Sequence, residues 1–432
     1  MHMAIRIFWA LGIGLLVQGV AVLFGTLNWR RYVRPKRFRA LNNFTPPVAL
    51  IIPCKGTDAE FEANVSSYLC QDYPCFQVIF VVASVDDLAY QALRARLESV
   101  SKNKQHKEVE TAGPQEGPRC YGDSKDWENG GVQTALVVAG YSESRGEKVQ
   151  NLLQGLKAVD AKAEVLVFAD SDARPKRDWL RAMVAPLQDP TLTMSTGRLW
   201  HLPRSGFVSH LRAAWHVSNV ALMGYHETEY ACGGSMAIRS IDFKRLEVAE
   251  RCWANVVSDD STLSSVVYAA GGSIRFEPRC VVACRGEMEF GEFLRWSVRQ
   301  TVTNRVYLPG AWWSVASAYF YFCGTVLFGL IMLALPSISA GQRLLVAAIL
   351  LAALLLVMSK GSIHEAIAKE LFPEEASILS RYGARYWQLS LLVPWVMLIN
   401  FLMSSVTRRI EWSGTYYELK SPNETRVIRR EK

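Results

Sequence analysis

Two kinds of apolar pattern alternate along the chain. The first is short and ends in glycine, serine or acid. "VALIIPCKG" (Val48 to Gly56), "FQVIFVVAS" (Phe76 to Ser84), "QTALVVAG" (Gln133 to Gly140) and "EVLVFAD" (Glu164 to Asp170) are of this kind. Continuous apolar runs of this length read as strands buried on both faces of a parallel sheet. Between them, Ala59 to Leu69, Leu88 to Val100 and Lys148 to Ala158 read as helices, the last with Val149, Leu152, Leu153 and Leu156 on one face. Strands alternating with helices predict an α/β domain built from βαβ units, with ligands bound beyond the carboxyl ends of the strands.

The second pattern is long. A helix crossing a membrane needs about 20 mostly apolar residues. Ile7 to Leu27, Trp312 to Pro336, Leu344 to Met358 and Tyr386 to Val406 approach or meet that, although Pro394 marks the last as suspect. The first reads as an uncleaved anchor, because its apolar part is too long for a signal peptide and no small-residue cleavage site comes after it. The segment Ser359 to Arg385 reads as amphipathic and interfacial. The resulting division is an anchor (1–29), a basic linker (30–47), a catalytic domain (48–300), a C-terminal membrane region (301–407) and a basic tail (408–432). Ser101 to Gly131 is polar and too long for an ordinary connection, so it reads as a surface insertion.

Composition sharpens this picture. Of 432 residues, 50% are hydrophobic, as expected for a chain that is part membrane. The net charge of +8 is gathered partly at Arg30, Arg31, Arg34, Lys36, Arg37 and Arg39, directly after the anchor. The positive-inside rule places the α/β domain in the cytoplasm, on the inner membrane in a bacterial cell. A basic patch abutting an apolar span faces headgroups rather than nucleic acid. Four crossings would nevertheless put the basic tail (Arg408, Arg409, Lys420, Arg426, Arg429, Arg430, Lys432) outside, against the same rule, so one C-terminal stretch reads as re-entrant or interfacial. The nine cysteines form no paired zinc pattern and read as free thiols.

The acids carry the chemistry. Asp170 and Asp172 stand where an apolar strand ends, and alternate residues there point the same way. Two such carboxylates repel unless a cation lies between them, whereas Asp, Ser and Pro also make plain turns. Asp86-Asp87 and Asp259-Asp260 each precede a helical pattern and read as caps or as ligands. Lys148 and Asn151 lie one helical turn apart and share a face. Cys232 has no identifiable base and is not read as a nucleophile. His201, His210, His216 and His226 read as mostly structural or surface residues.

The order "DD" (Asp86-Asp87), "DSD" (Asp170 to Asp172), "SDD" (Ser258 to Asp260) and "FLRW" (ending at Arg295-Trp296) resembles family-2 and related inverting glycosyltransferases. With "IIPCKGTD" and "GEKVQNLL", it is similar to the ceramide glucosyltransferase branch, which includes bacterial hopanoid and glycolipid glycosyltransferases. The resemblance covers Val48 to Trp313. It implies a GT-A (Rossmann-like) fold with N-terminal and C-terminal transmembrane helices. Pro53, Lys55, Gly56, Asp86 and Asp87 would hold the nucleoside of a UDP-sugar, and Lys148 and Asn151 would face the nucleotide. Asp170 and Asp172 would bind Mn2+ or Mg2+ bridging the diphosphate. Asp260 would be the general base, Arg295 a phosphate clamp, and Trp296 a stacking surface near sugar or acceptor. Three positions depart from the family: Ser84 stands for an Asp, Asp259 for a Glu, and Glu292 for a Gln or Arg. The implied reaction moves a hexose to a hydroxyl of a membrane lipid (a ceramide-like lipid, a diacylglycerol or a hopanoid) with inversion, giving a β-glycolipid. A processive polysaccharide synthase and a nonenzymatic membrane scaffold with a degenerate nucleotide-binding fold are the alternatives.

Overall fold

The computed structural model of the protein describes residues 2–36, 41–103, 119–121, 132–218 and 229–431. Contacts divide the chain into two units. One gathers residues 36–200, 229–286 and 408–432, and the other residues 1–35, 201–228 and 287–407.

The first unit is organised by a sheet in the order β3-β4-β2-β1-β5-β8-β7-β9-β6. Its strands are β1 (Val48–Pro53), β2 (Phe76–Val82), β3 (Arg119–Tyr121), β4 (Val132–Val138), β5 (Val165–Ala169), β6 (Ala173–Arg174), β7 (Met194–His201), β8 (Ser235–Arg239) and β9 (Ile274–Cys284). The four apolar runs of the sequence are β1, β2, β4 and β5, and they pair in parallel. Helices Phe61–Leu69, Leu88–Asn103 and Glu147–Gly155 come after β1, β2 and β4. All residues of β2 and β5 are buried, and Gln77, the one polar residue among them, donates to the Ala158 carbonyl (3.0 Å). Beyond β5 the sheet turns antiparallel, at the β5–β8, β7–β8 and β6–β9 pairs. This is the mixed, Rossmann-like sheet of a GT-A fold rather than an all-parallel one. Among its core residues are Phe76, Phe80, Trp179 and Met183. Trp179 donates its indole N–H to Ser235 Oγ (3.0 Å), and Ser235 donates to the Cys280 carbonyl (2.8 Å), so this buried polar pair is satisfied.

The C-terminal tail is not loose. It forms an antiparallel sheet of β10 (Arg409–Trp412), β11 (Thr415–Ser421) and β12 (Glu424–Arg430) within the same unit. Thr415, Tyr417 and Leu419 alternate inward and are buried, while the intervening residues are more exposed.

The second unit is helical. Helices His2–Lys36, Pro309–Ala334 and Ala340–Leu371 are each long and apolar enough to cross a membrane. They meet through Phe8, Leu15, Val326, Met332, Val346 and Leu350. Gly12, Gly14 and Gly19 lie against Ile349, Tyr321 and Leu356, the small-residue contact by which membrane helices approach closely. Ile13, Val17, Phe24, Ile331, Leu344 and Leu351 are exposed large apolar residues, suited to lipid.

Three membrane expectations are corrected. The stretch Tyr386 to Val406 is not one span: helix Ala376–Leu389 ends before it is half complete, and helix Val393–Val406, opened by Pro394, has 14 residues. The interval Ser359 to Arg385 is not one interfacial helix, because its first part continues the long helix to Leu371. The basic linker is helical through Lys36, an extension of the anchor. The insertion Ser101 to Gly131, apart from residues 101–103 and β3, lies outside the described residues, as do Arg37, Arg39 and His226.

Candidate functional site

The site begins where β5 ends. Tyr68 donates its hydroxyl to the Asp170 carbonyl (2.8 Å), and Asn64 donates to the Ser171 carbonyl (3.2 Å). The backbone of this turn is thus pinned while the Asp170 carboxylate turns to Lys148, 2.7 Å away. Lys148 lies in the first turn of helix Glu147–Gly155, and its ammonium also reaches Asp259 at 3.1 Å. Burial works to lower the Lys148 pKa, but the carboxylates of Asp170, Asp259 and Asp260 overcome it and hold the ammonium charged above its ordinary range. Asp259 is buried, and burial pushes its pKa up; Lys148 opposes the shift, Asp260 and Asp170 add to it, and the result is about 6.

A glycine pair lets these groups meet. A Cβ on Gly233 would lie 2.5 Å from Asp259 Oδ2 and 2.6 Å from Lys148 Nζ. One on Gly234 would lie 2.6 Å from Asp170 Oδ2. A side chain at either glycine would force these charged groups to shift. Gly233 donates its N–H to Asp260 Oδ2 (3.0 Å). The other oxygen of Asp260 accepts from Ser261 N–H (2.7 Å) and Ser258 Oγ (2.8 Å). Ser258 is the cap of helix Asp259–Ala269, so neither aspartate is consumed by capping alone. Each carboxylate oxygen has two acceptor sites, and Asp260 Oδ2 uses one of them within the protein.

The β1–β2 edge holds the next group. Pro53 closes β1, and Gly56 adopts a φ of 63° shortly after it, a left-handed turn natural to glycine. Gly56 N–H and Ala89 N–H both donate to Asp87 Oδ1, each at 2.8 Å. Asp87 therefore caps helix Leu88–Asn103 and clasps the β1 turn at once. Asp86 is exposed, and its N–H donates to Ser84 Oγ (3.1 Å). Lys55 pairs with Glu147 at 2.9 Å. Asn151 is buried with its Oδ1 lacking a partner. Asp172 is exposed.

Arg295 and Trp296 belong to the helical unit, on helix Phe290–Tyr307. Arg295 is exposed. Trp296 sits among aromatic and basic neighbours: Trp215 (4.9 Å between ring centroids), His201 (5.4 Å), and the Arg212 guanidinium over its face (5.1 Å). Glu292, the departure from the family pattern, completes a capping box with Glu289. His201 and His216 pack against each other, and His210 packs against Tyr382. Burial and the Asp260 charge push the Cys232 thiol up to about 11, which keeps it protonated and a poor nucleophile. The eight cysteines whose side chains are described are free thiols.

Among the described residues, no group of three or more His, Cys, Asp or Glu side chains forms a ready-made metal cage. Asp170, ion-paired with Lys148, and Asp172, exposed, are oxygen donors of a kind that suits a hard cation sharing its shell with substrate. Mg2+ and similar hard cations take one or two protein carboxylates and complete their shell with substrate phosphates and water. The site residue that motif reading passed over is Glu147; Asp259 stood out as the replacement of the family's Glu, and the two glycines of "EYACGGSMAIR" (Glu229 to Arg239) as a place where backbone can approach a ligand.

The family model described as glycosyl transferase family 21 matches residues 13–105 and 129–425. Among curated proteins no match is found. Among solved structures, the mannosyltransferase PcManGT from Pyrobaculum calidifontis, in complex with GDP-Man and Mn2+, is similar at 15% identity. That match covers 92% of this chain and 98% of the other, with a TM-score of 0.47. Glucosyl-3-phosphoglycerate synthase from Mycobacterium tuberculosis, with Mn2+, UDP and glucosyl-3-phosphoglycerate, is similar at 14% identity over 60% and 79% of the two chains, with a TM-score of 0.35.

Proposed function

Because the chain belongs to glycosyl transferase family 21, we propose that it moves a hexose from a UDP-sugar to a hydroxyl of a membrane lipid, with inversion at the anomeric carbon. The observation that carries this reading is the meeting of Lys148, Asp170, Asp259 and Asp260 over Gly233-Gly234. These residues are far apart in sequence and stand beyond the carboxyl end of β5, where open α/β sheets bind ligands.

Each residue has its own part in the reaction. Asp87 and Gly56 form one rigid turn for the nucleoside, flanked by Pro53, Lys55 and Asp86. Lys148 supplies fixed positive charge toward the diphosphate, and the unpartnered Oδ1 of Asn151 supplies an acceptor one turn further along the same helix. Asp260 takes the proton of the acceptor hydroxyl as its oxygen attacks the anomeric carbon and the bond to UDP breaks; a positioned base of this kind is worth about 10²–10⁴-fold. The hydrogen bonds from Gly233, Ser258 and Ser261 fix its orientation. Asp170 and Asp172 would hold Mn2+ or Mg2+, whose chemistry is to neutralise the charge of the departing diphosphate. Arg295 is proposed as a phosphate clamp and Trp296 as a stacking surface, on the motif alone.

The same reading gives the topology. Residues 408–432 and the mixed sheet share one unit, which supports an even number of bilayer crossings between Gly286 and Arg408 as part of this proposal. The two long apolar helices there would supply the crossings, and the basic tail would then lie with the catalytic sheet on the cytoplasmic side, as the positive-inside rule asks. Three spans are few for a polysaccharide channel. The test is mass spectrometry of lipids from a host expressing wild type or Asp260→Asn, with several UDP-sugars supplied. A new glycolipid with wild type only supports the reading. Identical lipid profiles, together with no UDP release by purified protein in Mn2+ or Mg2+, overturn it.

A further inference from the structure

We propose that the C-terminal β10–β12 sheet is part of the donor-binding machinery, with Tyr417 as a positioning residue that caps the Lys148 helix from 270 residues away. This rests on the donor reading above.

The need for such a cap is visible at the helix start. The first N–H groups of a helix have no partner within it, and a Ser, Thr, Asp or Asn side chain normally supplies one. Here the capping position is Gly146, which has no side chain to offer. Nor does one fit easily: a Cβ on Gly146 would lie 3.0 Å from the Val257 Cα, backbone of the segment leading into Ser258 to Asp260. Gly146 N–H donates to the Val256 carbonyl (2.9 Å), which ties the two segments together. Close approach of the Lys148 helix to the Asp260 segment thus excludes an ordinary cap.

The tail supplies a partner for one of these N–H groups, that of the first helical residue. Tyr417 Oη accepts the Glu147 N–H at 3.1 Å, and Tyr417 is buried. Thr415 Oγ1 donates to Glu147 Oε2 (3.4 Å), the carboxylate that also pairs with Lys55. On β12, Val427 N–H donates to the Glu143 carbonyl (3.1 Å), and Arg430 pairs with the Glu143 carboxylate (2.6 Å) and donates to the Ser142 carbonyl. The Arg430 guanidinium also lies over the Tyr141 ring, 5.1 Å from its centroid. Two strands of the tail therefore hold the loop from Tyr141 to Glu147. The next residue is Lys148, which meets Asp170 and Asp259.

The experiment compares full-length wild type, Tyr417→Phe and Arg430→Gln in detergent or nanodiscs, with UDP plus Mn2+ as the probe. Removing one buried neutral hydrogen bond is worth about fivefold in an equilibrium. Tyr417→Phe is expected to weaken UDP binding about fivefold and to speed amide exchange across Glu147 to Asn151 by a similar factor. Exchange in β1 and β5 stays unchanged. Arg430→Gln acts on the same loop from its exposed side, and its effect is smaller. UDP binding by Tyr417→Phe equal to that of wild type overturns the proposal, whatever happens to exchange. Failure of wild type to bind UDP instead removes the donor reading, and unchanged exchange at Glu147 in Tyr417→Phe then overturns the capping role as well.

Discussion

Asp86-Asp87 and Asp259-Asp260 are the same local pattern, a pair of acids at the start of a helix, and the fold gives them opposite surroundings. Asp86 is exposed, and Asp87 divides one oxygen between its own helix cap and the Gly56 turn. Asp259 is buried against Lys148, and Asp260 is oriented by three donors from two segments. The first pair could be formed almost entirely by its own loop and the neighbouring strand end. The second exists only because β5, the Lys148 helix and the Gly233-Gly234 loop converge on it. Helix-start chemistry is local, whereas burial and charge pairing are imposed from a distance.

Substitutions sharpen the contrast, and the largest effects belong to the second pair. Asp260→Asn keeps acceptor capacity toward Gly233 but loses the proposed base, so transfer to the proposed lipid acceptor should fall about 10²–10⁴-fold with UDP binding retained, read by labelled-sugar transfer and UDP titration. Lys148→Met leaves the buried Asp259 without its cation. Breaking a buried pair from one side costs about 3–5 kcal/mol, with some discount for the partial exposure of Asp170, read in denaturant unfolding. The pH dependence has a definite sign. A folded-state pKa of about 6 for Asp259 lies above its unfolded value, so its stabilising contribution is complete at low pH and is lost as pH rises through 6. Lys148→Met should enlarge that loss, because the opposing cation is gone.

Smaller effects are expected at the glycines and the first pair. Gly234→Ala drives a methyl group to 2.6 Å from Asp170 Oδ2 and 2.8 Å from Leu199, an overpacking cost of about 1–3 kcal/mol accompanied by weaker UDP and Mn2+ binding. Gly56→Ala meets no atom within 4 Å, so only its left-handed φ resists and the cost is about 1 kcal/mol. Asp87→Ala removes a cap and a clasp, worth about 1 kcal/mol in thermal unfolding. If Asp87→Ala destabilises the protein more than Lys148→Met does, the contrast between a local and a convergent acid pair is wrong.

Much of the fold was legible because its signals are local. The runs that became β1, β2, β4 and β5 are mostly apolar, with Gln77, Gln133 and Thr134 the polar residues among them, since both faces of a parallel sheet are covered. Their helices began within a few residues of where the pattern placed them. The antiparallel half was less legible: β9 alternates buried and half-buried residues along its first part, a weaker signal in a window already rich in turns. The fourth apolar stretch misled because hydropathy adds across a break. Tyr386 to Val406 is apolar enough for a span, but Ser390 to Leu392 separates two short helices. Glu292 stood out as a departure from the RW motif, and its capping box with Glu289 gives it a local reason to be there.

Strand and helix order, the apolar anchor, the strand-end acids and the family are all contained in the one-dimensional string, because each depends on residues close together in the chain. Which acid is buried, which cation faces it, and that a supposed basic tail caps a helix beside Lys148 were settled only by folding. Those properties depend on dielectric and distance, and both arise when segments such as Glu147 and Tyr417 are brought within 3.1 Å across most of the chain's length.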